Sequence, residues 1–242
     1  MKVNFYVTCI ADAVRADVGI ACVQLLQRLG CEIVFLEKQC CCGQPALNSG
    51  FAKDALPGLK HNIETFEAND YPIVGPAGSC IAAIKKYPHY LADEPEWAER
   101  AQRVADRFYE LTDFLVNQLK VTDVGAKLEG TAVYHPSCSV SRKLGLVQEP
   151  LTLLQNVKGL KLLPITNQTT CCGFGGTFSI KMATLSGEIV QEKANNIMAA
   201  NPDYLIGADV SCLINIGGRL SRVKSPIKVM HIAQVLNSGV AE

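Results

Sequence analysis

The feature that most constrains this chain is a cysteine register written twice. Cys9, the pair Cys41-Cys42 and Cys80 are answered by Cys138, the pair Cys171-Cys172 and Cys212, at offsets of 129, 130, 130 and 132 residues. Glycine follows each pair, as Gly43 and Gly173, and GPAGSC ending at Cys80 is echoed by GADVSC ending at Cys212. Independent cysteines do not keep such spacing. The chain is therefore a tandem duplication, and a repeat of this kind sets the architecture before any local pattern is read.

Each half alternates strand-like and helix-like segments. In the first, 3–9 and 31–36 read as buried strands around a helix over 12–29, whose Val14, Val18, Ala21, Cys22, Leu25 and Leu29 share one face. A helix over 51–68, interrupted awkwardly by Pro57, leads to a third strand at 71–75. The second half repeats this with strands at 131–135, 160–165, 204–208 and 228–233 and helices near 146–157 and 177–200. The alternation predicts an α/β chain of two tandem homologous Rossmann-like halves, with parallel sheets and helices on both faces. Residues 1–120 form the first repeat and 130–242 the second. A long amphipathic helix over 93–119 closes the first repeat, with Trp97, Val104, Phe108, Leu111 and Leu115 on its apolar side, and 120–130 reads as the linker.

Cysteine usage then points to chemistry. The start, MKVNFYVTCIADAV, reads as a first strand rather than a secretory signal, because Asp12 interrupts the apolar stretch. No apolar run approaches the roughly 20 residues that span a bilayer. A cytoplasmic chain is the expectation, and there 11 cysteines stay reduced, so their clustering speaks for metal binding or thiol chemistry rather than disulfides. Lysines plus arginines balance aspartates plus glutamates at 23 each, with no basic run, which argues against nucleic acid as a partner.

In a parallel sheet the carboxyl ends of the strands share one edge, where ligands bind. Cys9 is expected to end the first strand, Cys41-Cys42 to follow the second and Cys80 to follow the third, so four sulfurs converge from three loops. The same reasoning assembles Cys138, Cys171, Cys172 and Cys212, and four thiolates per half match a four-cysteine cluster site. Gly43 and Gly173 let the chain turn closely, while Gly175 and Gly176 offer main-chain N–H groups in a nest-like loop. His135, in YHPSC, is placed to donate to sulfur or move a proton, against a purely structural role. His231 reads as core, His61 and His89 as surface, and Cys22 and Cys31 as small buried hydrophobes. Cys40 has no counterpart, since Thr170 stands at its place in the second half.

The doubled pattern of a cysteine, a CCG about thirty residues on and a further cysteine resembles the cysteine-rich CCG domain family, to which the heterodisulfide reductase B subunit belongs. NFYVTCIAD, EKQCCCGQPALNSGF and TTCCGFGGTFSIK resemble its lactate-utilisation branch. The resemblance implies iron–sulfur clusters, one per half and of 4Fe-4S type, in an electron-transfer subunit of a complex that oxidises L-lactate to pyruvate. The partners it implies are LutB-like and LutC-like iron–sulfur proteins. The chain would then be a subunit of an oxidoreductase rather than a complete enzyme. One departure stands out: reductase-type members end the motif with a CxxC pair, but Ala77 and Ala83 flank Cys80, and Asp209 and Asn215 flank Cys212. A simple cubane, a smaller cluster, or Asp209 as an oxygen ligand all remain open.

Two other functions fit the residues. One is a metal-free thiol–disulfide oxidoreductase working through Cys41-Cys42 or Cys171-Cys172. The other is a zinc-stabilised, non-enzymatic scaffold that binds partners through 93–119, although the short CxxC spacings usual for structural zinc are missing.

Overall fold

The computed structural model describes residues 1–240. The chain divides into two compact units, Met1–Leu111 and Thr112–Glu242, and each is built on a four-stranded, fully parallel sheet.

The first unit runs β1 (Lys2–Phe5), α1 (Cys9–Val14), α2 (Ala16–Arg28), β2 (Glu32–Val34), α3 (Gln44–Asn48), α4 (Ala52–Phe66), β3 (Ile73–Gly75), α5 (Gly78–Ile84), α6 (Tyr87–Tyr90), α7 (Pro95–Asp106) and β4 (Phe108–Glu110). The spatial order is β2-β1-β3-β4. From β1 the chain crosses first to one side, to β2, and then back past β1 to β3. The loops after β1 and β3 therefore diverge and leave a crevice at the carboxyl edge. Val3, Phe5, Ile73 and Val74 are buried, as central strands covered on both faces require. Beside them Tyr6, Phe66 and Phe108 meet edge to face, with ring centroids 5.0 to 5.8 Å apart.

The expected helix over 93–119 is not one helix. α7 ends at Asp106, and Phe108–Glu110 becomes the edge strand β4, in register with Ile73–Gly75. The Arg107 guanidinium is the reason: it donates to the main-chain carbonyls of Phe66 at 2.6 Å and Tyr71 at 3.3 Å, and also to that of Asn69. With Arg107 tied to the end of α4, Phe108 turns into the aromatic core, a burial the helical spacing had already anticipated. α8 (Leu111–Asp113) follows and runs into a π-helical turn at Phe114–Gln118.

The second unit continues with β5 (Lys127–His135), α9 (Gln148–Gln155), β6 (Lys158–Leu162), α10 (Phe178–Lys181), α11 (Ala183–Ala199), β7 (Tyr204–Gly207), α12 (Val210–Arg222), β8 (Lys228–His231) and α13 (Ile232–Leu236). Its order, β6-β5-β7-β8, repeats that of the first. β5 starts at Lys127, so the proposed linker over 120–130 is partly strand. The expected helix over 177–200 breaks at Met182, and the last strand stops at His231, whose Nδ1 caps α13 by accepting from Ala233 N at 3.2 Å. Among the described residues no helix is long and apolar enough to cross a membrane.

Candidate functional site

In the first unit the loops after β1, β2 and β3 meet at the sheet's carboxyl edge. Cys9 does not end a strand as expected; β1 stops at Phe5 and Cys9 opens α1. Its approach is strained, because Thr8 is buried at φ 64, a left-handed conformation that β-branched residues seldom adopt. Cys9 Sγ lies 3.5 Å from Cys41 Sγ, and hydrogen bonds run on from Cys41 to Cys42 and from Cys42 to Cys80, which sits in the first turn of α5. Four sulfurs thus form one connected chain.

Polar side chains that the sequence reading passed over fix this loop. Asn62, on the buried stripe of α4, accepts from Cys40 N at 3.0 Å and donates to the carbonyls of Cys40 at 3.3 Å and Cys41 at 3.1 Å. Tyr6 donates to Cys40 O at 2.8 Å and Tyr87 to Cys42 O at 3.1 Å. Gln39 staples the β2 loop to β1, donating to Phe5 O and accepting from Val7 N, both at 3.1 Å. Cys40 turns away: its sulfur faces the carbonyls of Gly58 and Cys41, each at 3.6 Å.

The second unit uses the same devices with different residues. Cys138 begins the π-helical turn Ser139–Lys143 after β5, Cys171 and Cys172 follow β6, and Cys212 lies in the first turn of α12. Gly173 N donates to Cys171 Sγ at 3.4 Å and Phe174 N to Cys172 Sγ at 3.5 Å. Gly175 and Gly176, both at positive φ, carry the loop into α10 instead of supplying those donors. Gln168 donates to Tyr134 O at 3.4 Å, matching Gln39, and Asn215 donates to Cys172 O at 2.8 Å. Lys193 on α11 donates to the carbonyls of Asn167 at 3.3 Å and Gln168 at 2.8 Å. Asp209 is buried, with its carboxylate accepting from Ser211 N at 3.1 Å as the α12 cap. The signal for Asn62 and Lys193 was present in the sequence as polar residues on the apolar stripes of two helices at matching repeat positions.

The electrostatics follow from the crowding of sulfur. Hydrogen bonds with Cys42 and then Cys9 hold the Cys41 thiol down at about 2, while Cys9 and Cys42 are pushed well up, each first by its bond to Cys41. One thiolate is thus shared by thiols that keep their protons. Cys138 is pushed up by its bond to Cys171 and by burial. For Cys172 the bond with Cys171 pulls down, but the bond with Cys212 and burial win. His135 falls to about 3 through burial and then the nearby Lys193 charge, so its ring is neutral.

The residues present fit a sulfur-ligated metal group. Thr8 Oγ1 and both ring nitrogens of His135 are buried without a hydrogen-bond partner, and both residues lie beside the cysteine sets. Orphaned buried polar atoms of this kind need an explanation. His135, Cys172 and Cys212 place their ligand atoms within 4.8 Å of one another. Gly43 and Gly173 hold φ 76 and 81, and a Cβ at Gly173 would meet the Ser186 carbonyl at 2.8 Å, so the loop's close turn leaves no room for a side chain.

Comparison with known proteins agrees with the duplication. The sequence profile of the cysteine-rich CCG domain matches twice, over residues 3–85 and 132–217. The uncharacterized protein YkgE of Escherichia coli (strain K12) is 62% identical over 98% of this chain and 100% of its own. The lactate utilization protein A of Bacillus licheniformis is 54% identical and that of Geobacillus sp. (strain WCH70) 56%, each over 98% of this chain and 100% of its own. Among solved structures, a hypothetical protein from Helicobacter pylori superposes with a TM-score of 0.71 at 11% identity, over all of this chain and 49% of that one. At that identity the likeness is one of fold, and this chain spans about half of the other's length.

Proposed function

The chain belongs to the cysteine-rich CCG domain family, and from that premise we propose that it is the iron–sulfur electron-transfer subunit of a system oxidising L-lactate to pyruvate. The observation that carries the reading is the pair of four-sulfur sets, each drawn from three loops at the carboxyl edge of a parallel sheet. Cys9, Cys41, Cys42 and Cys80 would hold one cluster, and Cys138, Cys171, Cys172 and Cys212 the other. A cluster held by these residues would supply one-electron transfer, whereas lactate oxidation releases two electrons and two protons.

The chain's own residues prepare the site. The Cys41 thiolate offers a first anionic ligand without loss of a proton, and the raised thiols release theirs as metal binds. Gly43 and Gly173 permit the close turn, Gly175 and Gly176 carry the second loop onward at positive φ, and main-chain N–H groups of Gly173 and Phe174 neutralise sulfur charge. His135 faces the second set as a neutral ring. The lactate carboxylate would be met on a LutB-like or LutC-like partner, since no pair of convergent cations marks a carboxylate site in the sequence.

Iron and acid-labile sulfide in anaerobically purified protein, with EPR of the reduced state, test the reading. The parent should hold iron at two sites, and the double variant Cys171→Ala, Cys172→Ala about half as much. Addition of L-lactate to the assembled partners should reduce the clusters. A parent without iron after reconstitution overturns the cluster assignment, and loaded clusters that ignore lactate in the full assembly overturn the substrate. The first outcome favours the second reading, thiol–disulfide chemistry, for which the 3.5 Å approach of Cys9 to the Cys41 thiolate is the specific support.

A further inference from the structure

Because the halves are duplicates, the surroundings of the two sulfur sets can be compared place by place, and they differ in the polar and charged groups they present. Tyr6 and His135 each stand three residues before the first cysteine of their half. Tyr6 uses its hydroxyl on the Cys40 carbonyl. His135 is 1% exposed, both its ring nitrogens lack a partner, and it faces the sulfurs of Cys172 and Cys212. Whichever tautomer it adopts, a neutral ring has one N–H to give.

Asn62 and Lys193 form the second contrast. They occupy matching places on α4 and α11, and both bind main-chain carbonyls of the cysteine loop. One is a neutral amide; the other is an ammonium group on a side chain that is 0% exposed. Burial lowers the Lys193 pKa and outweighs the attraction to Cys172, Cys171 and Cys212; the two carbonyls that its ammonium group meets, at 3.3 and 2.8 Å, are what hold it in place beside the cysteine loop. Arg142 and Lys143 follow Cys138, and a buried carboxylate, Asp209, stands three residues before Cys212 where the first half has Ala77.

We infer that the two sites are unequal, the second-half site having the higher reduction potential because Lys193 and His135 stabilise added negative charge where Asn62 and Tyr6 cannot. The inference rests on the cluster reading above. Each reduction adds one electron, supplied by a low-potential donor, to an already anionic sulfur set. A fixed cation in a poorly solvated place favours that change far more than one in water. An N–H donated to sulfur acts in the same direction. Lys193 and His135 are thus positioning residues for charge, and neither need be a metal ligand.

The test is an EPR-monitored potentiometric titration of anaerobically reconstituted full-length protein. Cys171→Ala, Cys172→Ala leaves the first-half signal, and Cys41→Ala, Cys42→Ala leaves the second. The second-half midpoint should lie above the first. Lys193→Met and His135→Phe should each lower the second-half midpoint and leave the first unmoved, while Lys193→Arg should restore it. Equal or reversed midpoints at full iron content overturn this inference alone, as does a Lys193→Met protein that keeps its iron and its midpoint. If Lys193→Met loses second-half iron, the order of midpoints in the two single-half proteins decides the matter. Protein that takes up no iron overturns the cluster reading, and this inference with it.

Discussion

Cys9 and Cys41, separated by 31 residues of chain, bring their sulfurs to 3.5 Å, with the Cys9 thiol pushed up and that of Cys41 pulled down by the hydrogen bond between them. The asymmetry arises because Cys41 accepts from two neighbours whereas Cys9 has only one thiolate to donate to.

That asymmetry sets reactivity in the metal-free protein. With Cys41 held at about 2, it is a thiolate at pH 5, where the raised Cys9 and Cys42 are not. Brief iodoacetamide treatment at pH 5, read by peptide mass spectrometry, should mark Cys41 first although Cys9 is the more exposed. Preferential marking of Cys9 would refute the shared-thiolate picture.

His135 gives the metal-free protein an acid sensitivity with a definite sign. The folded ring stays neutral down to about 3, while the unfolded chain's histidine takes a proton below 6.5. The unfolded state therefore binds more protons in between, and stability falls as pH falls, by about 1.4 kcal/mol per pH unit below the unfolded pKa. Urea unfolding between pH 6.5 and 5 should show this slope reduced in His135→Gln; an unchanged slope would assign it to other groups.

The two loop glycines should respond unequally to alanine. Both need a left-handed backbone, which costs an alanine about 1–2 kcal/mol. At Gly43 the added Cβ meets Leu59 Cδ1 at 2.7 Å, a side-chain tip that can swing away; at Gly173 it meets the Ser186 main-chain carbonyl at 2.8 Å. Gly173→Ala should be the more destabilising in chemical denaturation, and the reverse order would contradict the packing described.

Cys40→Ala should leave iron and sulfide per chain unchanged. Its sulfur faces the Gly58 and Cys41 carbonyls and makes only weak contacts there, so the stability change should stay within about 1 kcal/mol. Loss of a whole cluster on this substitution would make Cys40 a ligand.

Much of this was readable from the chain because sulfur chemistry restricts residue type. A thiol is seldom repeated in register without a use for its sulfur, so the doubled register, the parallel α/β halves and the three loops that carry the sulfurs could be read in advance. The strand Phe108–Glu110 could not, since Trp97, Val104 and Phe108 satisfy helical spacing and the break depends on where the Arg107 guanidinium finds carbonyls at the end of α4. Asn62, Gln39 and Lys193 escaped for a related reason. A polar residue on an apolar stripe marks Asn62 and Lys193 as unusual, but the main-chain groups that they and Gln39 serve lie up to 34 residues away, and nothing local in the sequence points to them.

Each set of four cysteines is contiguous along the chain, within 9–80 in one unit and 138–212 in the other. Closing each site costs the entropy of loops a few tens of residues long, which grows only slowly with length. During synthesis from the amino terminus, the first set emerges entire before any residue of the second sheet exists. Order of appearance thus sorts eight chemically identical thiols into two sets of four, and a thiol from one half meets its own partners before a competitor has been made.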